Sequence, residues 1–119
     1  METSQTRSQA LLVLTNLPDE AGAQALAAHL VSERLAACVN VLAPCRSVYR
    51  WQGRIETAQE VPLLIKTTTA RYAALETVIR ARHPHELPEL IAVPVAHGLP
   101  EYLTWVAEET LAEEPNGRP

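Results

Sequence analysis

The sequence predicts an α+β domain in the order β-α-β-β-α-β, closed by one more helix. Three observations predict it. Two segments place apolar residues at helical spacing, and each lies between strand-like runs. Residues 38–67 read as two long strands around the tight turn Gln52-Gly53. Pro100 opens a third helical segment. That order is the ferredoxin-like split-βαβ pattern, with a four-stranded antiparallel sheet and two helices on one face.

The elements follow in turn. Ala10 to Thr15 is a short apolar run, as in a buried strand, and Asn16-Leu17-Pro18 breaks it. Asp19 and Glu20 put negative charge at a helix N-terminus, where the macrodipole favours it. Ala23, Leu26, Ala27, Leu30 and Val31 then form one helical face that ends near Arg34. From Cys38 the chain is strand-like, and Pro44 marks a bulge or bend because it cannot donate to a ladder. Beyond it, alternation puts Cys45, Ser47, Tyr49 and Trp51 on one face and Arg46, Val48 and Arg50 on the other. The return strand runs from Arg54 to Thr67, with Pro62 calling for an edge or a bulge. A hairpin this long reaches past a small domain's own sheet, which points to pairing with another chain. Thr69 caps a second helix, with Tyr72, Leu75, Val78 and Ile79 inward. Pro84 denies α geometry to His83, so this helix stops near Arg82. Leu90 to Val95 is the last strand. Pro100 sits at the first turn of the closing helix, anchored by Tyr102, Leu103, Val106 and Leu111 and flanked by Trp105.

The 119 residues suit one domain, with 47% apolar and 20% charged side chains. We expect a domain over residues 10–112, with tails at 1–9 and 113–119. The net charge of −4 argues against a nucleic-acid partner. No run approaches the ~20 apolar residues of a membrane span, and the N-terminus lacks a signal-peptide core, so the expected compartment is the cytoplasm. Cys38 and Cys45 are too few for a disulfide scaffold and lack C-x-x-C spacing.

Candidate chemistry is sparse. His83-Pro84-His85-Glu86 offers two imidazoles on one side of an extended segment, which suits copper, zinc or nickel, with Glu86 or Glu89 adding an oxygen. The same residues also read as a helix stop with surface histidines. Cys38 is either a soft metal ligand or a small buried apolar residue. Tyr49 and Trp51, near the hairpin tip, read as interface packing or a ligand platform. Arg46, Arg50, Arg54 and the single lysine, Lys66, could hold an anion or serve as ordinary strand charges. No phosphate-binding glycine loop, G-x-S-x-G or H-E-x-x-H occurs, and no nucleophile–base pair is visible, so an enzyme and an organic cofactor are not expected.

Several stretches together carry a resemblance. Leu35-Ala36-Ala37-Cys38-Val39-Asn40, Ser47-Val48-Tyr49-Arg50-Trp51-Gln52-Gly53, Leu64-Ile65-Lys66-Thr67 and His83-Pro84 through Pro88-Glu89 stand in the order and spacing of the CutA family. Pro18-Asp19-Glu20 and Gly98-Leu99-Pro100-x-Tyr102-Leu103-x-Trp105 complete the match, from about Leu11 to Leu111. The resemblance implies a divalent-cation tolerance protein, chiefly for copper. It implies a homotrimer similar to PII signalling proteins, with long hairpins paired across subunits. Tyr49 and Trp51 would lie near subunit contacts, and Glu60 and Lys66 would line clefts between subunits. The family's proposed copper site uses a cysteine where this chain has Thr15 and a histidine where it has Arg82. His83 keeps the second histidine position, and His85 replaces the usual tyrosine. The expected metal residues are therefore His83, His85 and Cys38. The alternatives are a PII-like trimer binding a small anionic metabolite, and a scaffold without ligand chemistry.

Overall fold

The computed structural model describes residues 9–112. Its elements are β1 (Ala10–Leu17), α1 (Glu20–Ser32), β2 (Cys38–Val41), β3 (Cys45–Trp51), β4 (Arg54–Thr68), α2 (Thr69–Arg82), β5 (Leu90–Pro94) and α3 (Pro100–Glu109). Strand order across the antiparallel sheet is β2-β4-β1-β5, with β3 also paired to β4. The expected tails, 1–9 and 113–119, lie outside the described residues except for Gln9. That residue is tied down: its backbone N–H donates to Thr69 Oγ1 at 3.2 Å, and its side chain donates to Val95 O.

The long hairpin is present, but its first arm is two strands, so the sheet has five strands rather than four. The reason lies in two prolines. Pro44 sits in the break between β2 and β3. Opposite it, Val61 and Pro62 of β4 pair with β1 alone. Leu42 N–H donates to Pro62 O at 2.9 Å, so Pro62 turns its hydrogen-bonding edge, which has no N–H, toward this gap. At the tip, Gln52 (φ 51°) and Gly53 (φ 79°) make a left-handed two-residue turn that matches the twist of the arms.

Period-two alternation divides the sheet. Leu11, Val13, Thr15 and Leu17 of β1 and Val61, Leu63, Ile65 and Thr67 of β4 are buried. Leu26 and Leu30 of α1 and Leu75 and Ile79 of α2 pack on this side in one core. Asp19 caps α1, accepting from Gly22 N at 2.7 Å. The helix ends at Ser32, short of the expected Arg34, which adopts left-handed geometry (φ 58°) and cannot continue it. The N-cap of α2 is Thr68 rather than Thr69, and its side chain makes no cap bond. Across the sheet end where β1 starts and β4 stops, α3 buries Val106 and Thr110. Tyr102, Trp105 and Leu111, expected as anchors or flanks, stay exposed. No helix among the described residues is long and apolar enough to cross a membrane.

Leu63 enters the core from β4, which pairs with β1, β2 and β3, and it is fully buried. Leu63→Ala is expected to cost about 2–5 kcal/mol in urea unfolding. Tyr72 gives a pH signature. Burial, then the Glu76 carboxylate, raises its phenol above the ordinary 10.0. The folded state keeps the proton longer than the unfolded chain, so this contribution is intact below pH 10.0 and lost above it. Tyr72→Phe should flatten the alkaline fall in stability measured by denaturant titration.

Candidate functional site

The His83 segment is built by Pro84. With α geometry denied to it, His83 leaves α2 extended (φ −76°, ψ 138°), although its N–H still bonds Ile79 O at 2.8 Å. The extended exit turns the imidazole inward, where it is 8% exposed. Nε2 lies 2.6 Å from Asn16 O, and Nδ1 lies 3.0 Å from the backbone N of His85. A backbone N–H only donates, so Nδ1 is the acceptor and Nε2 carries the proton donated to Asn16 O. Both nitrogens of this neutral ring are spent within the chain. Two further bonds fix the same loop to β1: Thr15 Oγ1 donates to Glu89 O at 2.7 Å, and Asn16 Nδ2 donates to Glu89 Oε1 at 2.9 Å.

His85 lies exposed beside His83, with ring centroids 5.1 Å apart. Together they line a cleft of about 600 Å³ with Tyr49, Trp51, Glu60, Glu86 and Glu89. The predicted shared face of Tyr49 and Trp51 is real: both rings reach this cleft, each a little over 40% exposed. The described lining holds three carboxylates and neither lysine nor arginine. Such a cleft carries negative potential and attracts cations.

Cys38 does not join the two histidines. It faces Lys66 across the β2–β4 ladder, with the Lys66 ammonium 3.8 Å from its sulfur. Lys66 also donates to Asn40 Oδ1. Glu60 and Lys66 share a face of β4, but six residues of strand separate them by about 20 Å. One chain therefore brings Glu60, Tyr49 and Trp51 together and leaves Lys66 elsewhere. One chain likewise does not bring the expected metal residues His83, His85 and Cys38 together. No three His, Cys, Asp or Glu side chains among the described residues converge to hold a metal ion. His83 does not fit as a ligand, because neither nitrogen offers a free lone pair. Thr15, where the resemblance implies a cysteine, is 1% exposed and spends its hydroxyl on Glu89 O.

Sequence reasoning missed Asn16 and Thr15 as the anchors of the histidine loop. The only local signal was a polar pair at the end of an apolar strand. In the sequence, Asn16 reads simply as a strand breaker.

The comparisons with known proteins agree with one another. The sequence pattern of the CutA1 divalent ion tolerance protein family matches residues 11–109. The divalent-cation tolerance protein CutA of Thermus thermophilus is 46% identical over 99 residues, 83% of this chain and 96% of that one. Its solved structure superposes with a TM-score of 0.84. CutA from Xylella fastidiosa is 50% identical, covering 87% of this chain and 99% of that one, at a TM-score of 0.83. CutA1 from Oryza sativa is 36% identical, covering 89% and 97%, at 0.85.

The latch role of His83 is testable on metal-free protein. His83→Ala strands the Asn16 carbonyl and the His85 N–H and is expected to cost about 1–3 kcal/mol in unfolding. A residue that served only to bind metal would leave metal-free stability unchanged.

Proposed function

The chain belongs to the CutA1 family of divalent ion tolerance proteins, and from that membership we propose that it acts in divalent-cation tolerance as a homotrimer that binds a divalent cation, copper first. The relatives are named for tolerance and not for a reaction, and the reading is non-catalytic.

The acidic cleft carries the reading. With three carboxylates, an exposed imidazole and no basic side chain in its described lining, it is built for a cation. His85 supplies the imidazole from this chain, which suits copper or zinc. Because one chain gathers no three-donor set, the remaining donors come from a neighbouring copy. The sheet supports such an assembly. On the side away from the helix-packed core, Leu12, Leu14 and Leu64 lie beside Ile91 and Val93, which are 53% and 48% exposed. A contiguous apolar face of this kind marks an interaction surface.

The anionic-metabolite alternative finds less support. Its expected cation, Lys66, is already bonded to Asn40 and lies outside the cleft.

Solution mass and copper calorimetry on the reduced chain test the proposal. A trimer that binds copper, loses binding on His85→Ala and keeps it on Cys38→Ala is expected. A monomer, or a trimer indifferent to both Cu(II) and Zn(II), overturns it.

A further inference from the structure

A second cavity, of about 640 Å³, lies between the start of α2 and the length of α3. Its walls are Leu103, Ala107 and Ala70, and its polar members include Thr68, Arg71 and Glu108. The first turn of α2 contains no acidic residue, and the Thr68 hydroxyl closes no cap bond although the residue is only 2% exposed and lines the cavity. The N–H group of Thr69 is used by Gln9 O. Those of Ala70 and Arg71 follow it at the positive end of the helix, without a capping side chain.

Guanidinium groups reinforce that end. Among the described residues, Arg71 spends only Nε on the chain, donating to Arg34 O at 3.3 Å. Its two terminal nitrogens remain for a planar anion, which a guanidinium binds in a fork. Arg34, in contact with it, donates from Nη2 to Glu108 O at 2.8 Å and has a buried Nε without a partner among the described residues. Arg71 brings the guanidinium to the described lining of the cavity, and Arg34 stands behind it. The Glu108 carboxylate, near the end of α3, is exposed.

We infer that this cavity binds a small carboxylate with an aliphatic tail, the carboxylate against Arg71 and the first turn of α2, the tail against Leu103 and Ala107. The site is separate from the acidic cleft and does not depend on the cation reading.

Calorimetry with 4-methylpentanoate on the full chain, without added metal, tests it. Saturable binding of one ligand per chain is expected, with the neutral 4-methylpentanamide failing to compete. Arg71→Gln should weaken binding at least about tenfold, the loss typical of one charged hydrogen-bonding partner. Glu108→Gln should bind as well or better. Arg71→Lys keeps the charge without the fork, so it provides a reading if the glutamine variant folds poorly; it too should bind more weakly. Absence of saturation, equal binding of the amide, or binding unchanged in both Arg71 variants overturns the inference. Occupation of the cavity by the chain's own C-terminal residues or by another copy would appear as absence of saturation.

Discussion

The hydrogen-bonding capacity of β4 is the constraint on which the rest depends. Fifteen residues serve β1 on one edge and β2 and β3 in succession on the other. Side chains alternate strictly along a strand, so this one register decides both faces at once. Val61, Leu63, Ile65 and Thr67 enter the core. Glu60 reaches the cleft, and Lys66 pairs with Cys38. A slip of one residue would exchange the two sets, placing charge in the core and leucine in water. The apolar volume packed by α1 and α2 holds the register against that slip.

The cleft owes its shape to a conflict at the end of α2. Helical hydrogen bonding continues to the N–H of His83, but the ring of Pro84 forbids helical geometry at that residue. The extended exit sends one imidazole inward and leaves the next exposed. The two histidines therefore differ in kind. His83 fixes the loop to β1 through Asn16, while His85 keeps a ring available to a ligand. Burial and bonding that make a histidine a good structural clasp remove the lone pair that would make it a ligand.

Much of this was legible in the sequence, for identifiable reasons. Proline acts locally, so the end of α2 at Arg82 and the break at Pro44 could be read directly. Alternation is also local, so Tyr49 and Trp51 could be placed on one face before their neighbours were known. The fifth strand was less visible, because it needs Pro44 and Pro62 to lie opposite each other across a ladder. The anchoring of His83 was hidden for a similar reason. Its partner Asn16 lies 67 residues away, and a carbonyl acceptor has no side-chain signature. Lys66 and Glu60 share a face by parity, yet parity says nothing of distance along it.

The paired prolines also shape how the molecule yields to force. Between Cys45 and Trp51 the arm is a closed zipper ending in a left-handed turn. A pull on its tip opens that zipper one rung at a time. At Pro62 the rungs toward the gap stop, and the next bond on that edge belongs to Leu42. The gap separates the β3 rungs from those of β2, so the outer hairpin can fray while β2 stays paired with β4. The long arm can thus loosen without disturbing the core beneath it.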